Sequence, residues 1–241
     1  MYKGESVESD LQKSDKDLLW LPLLHDLQKR YRLKELRFDF GSRTVEMVKV
    51  DDINELLDEV VDVDAIPFWA ELWPAAVGLA SEILKNQDLI TGKELLELGS
   101  GVGLAGIAAK IAGSRVTQSD FIEEAFKFIR VNCLRNNLEV EPLLLADWRN
   151  FPAGAGPFDY IIGADILYEK DLHGDLLKVF KEILRPGGQV WLADPGRNHG
   201  KLFMEKAVLM GWERKQEQIK VFHEQQHYHI DIYHLSYRGN N

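Results

Sequence analysis

The stretch LLELGSGVGLAGIAA, from Leu95 to Ala109, joins an apolar strand-like segment to a glycine cluster that leads into a helical pattern. Two glycine patterns overlap in it. The first, G-x-G-x-x-G, consists of Gly101, Gly103 and Gly106. The second, an acid followed by three alternating glycines, consists of Glu97, Gly99, Gly101 and Gly103. Each glycine lowers the stability of the fold, so three alternating glycines between a strand and a helix indicate that a ligand approaches this backbone. The loop alone leaves the ligand open.

Outward from this loop, strand-like and helix-like segments alternate. The predicted strands are Glu94–Leu98, Arg115–Ser119, Glu141–Leu145, Tyr160–Ala164 and Val190–Ala193. The predicted helices are Leu104–Ile111, Ile122–Asn136 and Leu172–Leu184. The last helix should end at RPGG, because a proline and two glycines cannot continue it. Nearly continuous apolar strands separated by helices predict an α/β, doubly wound, mostly parallel sheet with both faces covered.

The two ends of the chain show other patterns. An amphipathic helix is predicted over residues 17–31, with Pro22 in its first turns, and LRFDFGSRTVEMVKV predicts a β-hairpin that turns at Gly41 and Ser42. DDINELLDEV predicts a short helix. After a helix near Leu202–Met210, WERKQEQIKV and HYHIDIYHLSYR suit an antiparallel pair of strands. We therefore predict an N-terminal appendage over residues 1–65 and a main domain over residues 66–241.

Composition limits the classes of function. Of the 241 residues, 45% are hydrophobic and 28% are charged, as in ordinary globular proteins. The net charge of −10 argues against a broad surface for nucleic acid or anionic membrane and fits a basic partner better. Cys133 is the only cysteine, which excludes an internal disulfide and disfavours a cysteine zinc site. The polar start MYKGESVESDLQKSDKD is unlike a signal or transit peptide, so the expected location is the cytoplasm.

The two glycine patterns imply different ligands. G-x-G-x-x-G is the fingerprint of a dinucleotide site, in which a pyrophosphate sits at the helix N-terminus. The acidic pattern is that of loops that bind S-adenosylmethionine, which carries a sulfonium and an ammonium and no phosphate. Glu97 would repel a pyrophosphate but suits a cationic ligand, so we favour S-adenosylmethionine. A merely solvated acid at the strand end is the alternative interpretation of Glu97.

Acids and aromatic residues also follow the other predicted strands. Asp120, after the second strand, is placed to accept ribose hydroxyls in either type of site. After the third strand, Asp147 can accept from an adenine amino group, and Trp148 can cover the base or simply pack against a helix. At the fourth strand, IIGADILYE contains Ala164, which would border the cofactor. Asp165 and Tyr168 follow it, where the chain leaves the sheet. Because the ends of parallel strands meet at one edge, these groups predict one site.

With these residues the chain resembles the seven-β-strand class I S-adenosylmethionine-dependent methyltransferases. It is similar to their protein-lysine methyltransferase branch, in which D-x-x-Y or D-x-x-F follows the fourth strand, as DILY does here. FWAELWPAAVGLA and ADPGR look most like the methyltransferases that modify the β-subunit of electron-transfer flavoprotein and their bacterial relatives. The resemblance covers about Pro67 to Arg197.

The resemblance implies a Rossmann-like seven-stranded sheet with an antiparallel C-terminal strand and S-adenosylmethionine as cofactor. It makes Glu97 and the glycines the methionine-side loop, Asp120 the ribose acid, and Asp147 with Trp148 the adenine pocket. Trp73 would line the cofactor pocket from the N-terminal side, with a staple between helix and sheet as the alternative. Asp165 and Tyr168 would be the catalytic pair that faces the substrate.

The implied reaction is an in-line displacement that transfers a methyl group to a nitrogen, most simply a lysine of a protein partner. Asp165 would orient the amine and bind its cationic form, which loses its proton to water before the transfer. Tyr168 would shape the lysine channel, partly through its π face. A small-molecule N-methyltransferase is the main alternative. A dehydrogenase and a scaffold without catalysis are less favoured.

HYHID near the C-terminus could supply metal ligands, since His227, His229 and Asp231 alternate along one strand. The opposite face of that strand is apolar, which makes the histidine face the polar, wet one, and we predict no metal. Cys133 is interpreted as a small buried filler.

Overall fold

The computed structural model of the chain describes residues 17–59, 66–140 and 142–240. It begins with helix α1 (Asp17–Gln28), followed by an antiparallel hairpin of strands β1 (Leu33–Phe40) and β2 (Arg43–Val50). The hairpin turns at Gly41 and Ser42, as predicted. The predicted short helix is a 3-10 segment, Ile53–Glu59.

The main domain alternates strands and helices. The helices are α2 (Pro74–Lys85), α3 (Gln87–Ile90), α4 (Leu104–Ile111), α5 (Glu123–Arg135), α6 (His173–Ile183) and α7 (Asn198–Leu209). The strands are β3 (Glu94–Leu98), β4 (Arg115–Asp120), β5 (Leu143–Leu145), β6 (Phe158–Ala164), β7 (Leu184–Asp194), β8 (Trp212–His223) and β9 (Gln226–Tyr237). Short 3-10 turns lie at Phe68–Ala70, Trp148–Asn150, Lys170–Leu172 and Arg238–Asn240.

The predicted strands and helices are all present, and the differences concern their ends. The predicted third strand is shorter, and its first residue, Glu141, lies outside the described part of the chain. β7 begins at Leu184 instead of Val190, so RPGG ends α6 but already belongs to the next strand. Helix α2 was not predicted. It begins with Pro74, whose fixed φ suits a first helical turn.

The seven strands form one sheet in the order β5-β4-β3-β6-β7-β9-β8. The strands from β5 to β7 are parallel, whereas β9 pairs antiparallel with both β7 and β8. The predicted parallel sheet that ends in an antiparallel hairpin is therefore confirmed. β3 has β4 on one side and β6 on the other, so the chain reverses its direction across the sheet there. Such a reversal opens a crevice at the carboxyl ends of the strands.

Buried apolar clusters cover both faces of the sheet. Leu95 belongs to one cluster and Leu96 to the other, as alternation along a strand requires. The hairpin joins the first cluster, and Asn132 of α5 ties down its backbone. The Asn132 amide accepts from the Val48 N–H at 2.7 Å and donates to the Val48 carbonyl at 3.0 Å. The boundary between the appendage and the main domain stays a prediction, since residues 60–65 lie outside the described part.

Among the described helices, none has both the length and the apolar composition that a membrane span requires.

Candidate active site

A crevice opens where the chain reverses at β3, at the carboxyl ends of the parallel strands. It encloses about 1220 Å³ of empty space, part of it open to solvent. Ten of the eleven residues predicted for the site line it, namely Trp73, Glu97, Gly99, Gly101, Asp120, Asp147, Trp148, Ala164, Asp165 and Tyr168. The eleventh, Gly103, caps α4 behind the loop. The fold thus brings together predicted residues that are up to 95 positions apart in the sequence, from Trp73 to Tyr168.

The glycine loop has a backbone that side chains would block. Gly99 and Gly101 have φ values of +61° and +50°, in the left-handed region that favours glycine. A Cβ on Gly99 would also lie 2.9 Å from Ile166 and 3.3 Å from the Trp148 ring. A Cβ on Gly101 would lie 3.1 Å from the Trp69 carbonyl oxygen. The loop is thus shaped so that bare backbone forms one wall of the crevice.

Glu97 is buried below this loop, with only 3% of its surface exposed. The Gln118 amide donates to its carboxylate at 2.8 Å. Burial raises the Glu97 pKa to about 7, although the hydrogen bond from Gln118 opposes the shift. A Cβ on Gly106 would lie 2.3 Å from the Glu97 carboxylate, so the last glycine of G-x-G-x-x-G makes room for the buried acid. The Glu97 side chain is therefore buried in the protein, and a solvated strand-end acid does not describe it.

Asp120, at the end of β4, holds the glycine loop from the side. Its carboxylate accepts from the Gly101 N–H at 2.8 Å and from the Ile122 N–H at 3.0 Å. Burial raises the Asp120 pKa, and these backbone donors partly offset that effect. A carboxylate has about four acceptor positions, more than these backbone donors use, so the group can still accept from a ligand hydroxyl.

Asp147 and Trp148 lie where the chain leaves β5. Asp147 accepts from the Arg149 backbone N–H at 2.9 Å and pairs with the Arg149 guanidinium at 2.8 Å. The hydrogen bonds from Arg149 lower the Asp147 pKa, so this carboxylate is ionised at neutral pH. The half-buried Trp148 ring lies over Gly99, which puts it between the loop and the apolar cluster. It can both pack and cover a flat ligand.

Aromatic residues form the N-terminal wall. Trp73 precedes α2, and its indole N–H donates to the Phe68 carbonyl at 3.0 Å. The Phe68 ring lies 6.1 Å from the Trp73 ring and 5.7 Å from the Tyr168 ring. Trp69 packs on the buried Phe128 ring at 5.5 Å. Trp73 is thus a crevice residue, whereas Trp69 serves the crevice and the core together.

The DILY segment at the end of β6 is held by three neighbouring elements. The Asp165 N–H donates to the Ala193 carbonyl of β7 at 2.8 Å. His173 of α6 contacts the Leu167 carbonyl at 3.0 Å, and His199 of α7 contacts the Tyr168 carbonyl at 2.6 Å. Asp165 has a φ of +58°, a conformation that is unusual for a side chain with a Cβ. Such backbone strain is concentrated at functional sites.

Asp165 is buried, and its carboxylate forms an ion pair with the Arg197 guanidinium. Burial lowers the Arg197 pKa, but an arginine keeps its charge at neutral pH. The Arg197 N–H in turn donates to Asp194 at 2.7 Å.

Sequence reasoning missed the role of Arg197: ADPGR was recognised as a motif, but no partner for its arginine could be read from it. Gln118 was also missed, although a buried amide in an apolar strand could have signalled it.

The donor set fits S-adenosylmethionine better than a dinucleotide. Six carboxylates line the crevice: Glu71, Glu97, Asp120, Asp147, Asp165 and Glu169. Among the described lining residues the one basic side chain is Arg149, and it is paired with Asp147. A pyrophosphate would meet more carboxylates than cations here, whereas a sulfonium and an ammonium would be attracted. The uncovered loop backbone fits the close approach of such a ligand.

Two groups of histidines and carboxylates are candidates for a metal site, and both are less well supported than the crevice. Exposed His227 and His229 lie on β9 with Asp231, but Asp231 is buried and accepts from Gln218 at 3.0 Å, so the predicted wet face is wet only in part. A second group brings Glu71, His223 and Glu224 together. Lysines already neutralise its acids: Lys49 lies 2.8 Å from Glu71, and Lys34 lies 2.6 Å from Glu224. The geometry therefore favours ion pairs over a divalent ion.

The strand order and the crevice define a Rossmann-like methyltransferase fold. The Thermus thermophilus 16S ribosomal RNA methyltransferase RsmC, solved in complex with AdoMet and guanosine, shares it with a TM-score of 0.61. The similarity covers 86% of this chain and 51% of that chain at 15% identity, so it concerns the fold alone.

Residues 67–222 match the lysine methyltransferase family, and the chain belongs to that family. The electron transfer flavoprotein beta subunit lysine methyltransferase of Rattus norvegicus is 37% identical over 134 residues, which are 54% of this chain and 51% of the relative. The histone-arginine methyltransferase METTL23 of Xenopus laevis is 26% identical over 184 residues, which are 73% of this chain and 78% of the relative. The chain thus spans about half the length of the first relative. The resemblance drawn from DILY, ADPGR and the glycine loop is confirmed at the level of the family.

Proposed function

We propose that this chain is an S-adenosylmethionine-dependent N-methyltransferase that methylates a lysine side chain of a protein. One observation carries the proposal. A single crevice extends from the glycine loop and Asp120 to Asp165 and Tyr168, and six carboxylates but one basic side chain are found among its described lining residues. Membership of the lysine methyltransferase family supports the same reaction.

The cofactor would be held by the residues at the strand ends. Bound there, S-adenosylmethionine supplies a methyl group on a positively charged sulfur. Glu97 and the backbone of Gly99 and Gly101 would bind the methionine side, and Asp120 would accept from the ribose hydroxyls. Asp147 and Trp148 would bind the adenine, while Ala164 and Trp73 would close the sides. Gly103 would act indirectly, since its φ of +93° lets α4 begin directly behind the loop.

The acceptor end has to bind an amine and keep water out. A lysine with a pKa near 10.4 is a free base in only about one of a few thousand molecules at pH 7. Asp165 would orient the amine, whose proton leaves to water before the transfer. The aromatic rings of Tyr168 and Phe68 would disfavour the charged form by desolvation and line up the alkyl stem. The enzyme thus acts mainly by positioning two groups.

The name of the rat relative suggests the first acceptor to test, which is the β-subunit of electron transfer flavoprotein. A protein acceptor agrees with the net charge of −10, because a lysine-bearing segment is attracted by an acidic surface. A small-molecule amine and a protein arginine are the competing acceptors; the latter is named for the frog relative. The cytoplasm is the proposed location, supported by the single cysteine of the chain.

Two measurements test the proposal. Calorimetric titration with S-adenosylhomocysteine and NADH tests the cofactor. Incubation with methyl-labelled S-adenosylmethionine tests the acceptor, first with the purified flavoprotein subunit and then with a cell extract. Mass spectrometry identifies the labelled species. Asp165→Asn is the test variant. Asp171→Asn is the matched control, because Asp171 is an exposed carboxylate in the 3-10 turn Lys170–Leu172 that follows the DILY segment.

We expect binding of S-adenosylhomocysteine, no binding of NADH, and label on protein lysines. Asp165→Asn should keep cofactor affinity within about threefold and lower transfer at least about 100-fold, as expected for a residue that acts on the acceptor. Asp171→Asn should behave like the wild type. Label on a metabolite or on arginine would refute the lysine acceptor, and binding of NADH alone would refute the reaction class.

A further inference from the structure

Arg197 forms an ion pair with Asp165 at the acceptor end of the crevice and, unlike Asp165, has no part in the reaction proposed so far. Asp165 lines the crevice and is 8% exposed, so it is the group that an incoming amine would meet. Arg197 approaches the same carboxylate from the loop between β7 and α7, and 40% of its side chain is exposed. The carboxylate is therefore already paired with a cation before any acceptor arrives.

The position of Arg197 is fixed by the protein backbone. Asp194 is fully buried at the end of β7, and one of its oxygens accepts from the N–H groups of Gly196 and Arg197, both at 2.7 Å. Gly200, in the first turn of α7, leaves the space for this carboxylate, because a Cβ there would lie 2.8 Å from Asp194. These contacts hold the backbone of the loop in the position from which Arg197 reaches Asp165.

This pairing changes the charge that an acceptor meets. A lone buried carboxylate would bind an ammonium strongly and raise its pKa, which would oppose the loss of the proton. With the guanidinium beside it, the carboxylate is one half of a nearly neutral pair, and its hold on a second cation is weaker. An amine can then be oriented by Asp165 without being locked in its charged form.

We propose that Arg197 is a positioning residue that pairs with Asp165 and weakens the binding of a charged amine at the acceptor end of the crevice. The inference rests on the proposed function, since it assigns the amine to Asp165. It predicts that removal of the Arg197 charge increases the affinity of the site for a cationic probe.

The experiment uses the full chain saturated with S-adenosylhomocysteine at pH 8. The probes are n-butylammonium, an analogue of the lysine side chain, and n-pentanol, its uncharged counterpart. Their affinities are measured by NMR from the indole N–H signals of the protein. The variants are Arg197→Gln, Arg197→Lys and the double variant Asp165→Asn/Arg197→Gln. Thermal unfolding and affinity for S-adenosylhomocysteine verify that each variant is folded.

Arg197→Gln should bind n-butylammonium about tenfold more tightly than the wild type, while its affinity for n-pentanol stays within about twofold, because only the charge has changed. Arg197→Lys, which keeps the cation, should behave like the wild type. The double variant, which replaces a neutral pair by neutral groups, should bind both probes within about threefold of the wild type. A purely structural role would alter both probes together.

Equal or weaker binding of n-butylammonium by a folded Arg197→Gln variant would overturn the inference. If Arg197→Gln does not fold, the double variant decides: a loss of n-butylammonium affinity beyond about tenfold, with n-pentanol unchanged, would mean that the wild-type carboxylate acts as a lone charge. Neither result affects the proposed methyl transfer, which fails separately if S-adenosylhomocysteine does not bind or no amine is labelled.

Discussion

Replacing Glu97 with glutamine should stabilise the ligand-free protein at alkaline pH and weaken its hold on the cofactor. Glu97 is buried against Gln118, and burial raises its pKa from an ordinary value of 4.5 to about 7. Its ionised form is therefore disfavoured in the folded chain relative to the unfolded chain. Glutamine has nearly the same shape and no charge, so it removes that penalty.

The magnitude and the sign follow from the two pKa values. Between pH 4.5 and pH 7 the folded protein binds this proton and the unfolded chain does not. The wild-type free energy of unfolding therefore falls through that window as pH rises, and it levels off above pH 7. Between pH 5 and pH 8 the site accounts for a loss of about 2 to 3 kcal/mol, since a difference of one pKa unit is worth somewhat more than about 1 kcal/mol.

The assay is denaturant unfolding at several pH values between 5 and 8. The quantity compared is the difference in unfolding free energy between Glu97→Gln and the wild type, because every other titrating group cancels in it. This difference should grow by about 2 to 3 kcal/mol in favour of the variant from pH 5 to pH 8. Glu205→Gln, at an exposed acid of α7, is the control and should show no such growth. A constant difference for Glu97→Gln would refute the reasoning.

The same variant should lose cofactor affinity. A glutamine cannot form a charge-assisted bond with a ligand ammonium, which should weaken S-adenosylhomocysteine about tenfold in calorimetry at pH 8. Wild-type affinity should fall as pH drops below 7, since Glu97 is then protonated, whereas the affinity of Glu97→Gln should not. Parallel pH dependences would remove Glu97 from the cofactor site.

Three further predictions concern the glycine loop, a buried ion pair and the aromatic wall. Gly99→Ala should lower S-adenosylhomocysteine affinity at least about tenfold, because its Cβ would lie against Ile166 and Trp148. The control Gly92→Ala has a similar φ but open space around its Cβ, so it should only destabilise the protein, by about 1 kcal/mol in thermal unfolding. Lys49→Met should destabilise by about 3 kcal/mol by denaturant unfolding, since it leaves Glu71 unpaired, and Lys49→Met/Glu71→Leu should recover most of that loss. Tyr168→Phe should keep transfer within about threefold, whereas Tyr168→Ala should lower it about 30-fold in the labelling assay, since only the latter removes the ring.

Local patterns predicted most of the fold. β3 and α4 have the predicted bounds, because apolar runs and glycines close to each other in sequence decide where a strand ends and a helix begins. The hairpin and the antiparallel C-terminal pair follow from turns between adjacent segments. Helix α2 escaped prediction. Trp73 and Pro74 at its start were interpreted as part of a motif, and the burial of its apolar face by α4 and the sheet is not visible in sequence.

The sequence by itself determined the class of the fold and which residue types stand at the ends of the parallel strands. Alternation and glycine placement are local, and parallel strands bring their carboxyl ends to one edge. Only the tertiary structure decided what those residues do to each other. It buried Glu97 beneath the loop against Gln118, and it brought Arg197 onto Asp165 from a different strand. Desolvation and ion pairing depend on distances between remote segments, so the charges of this site are set by packing.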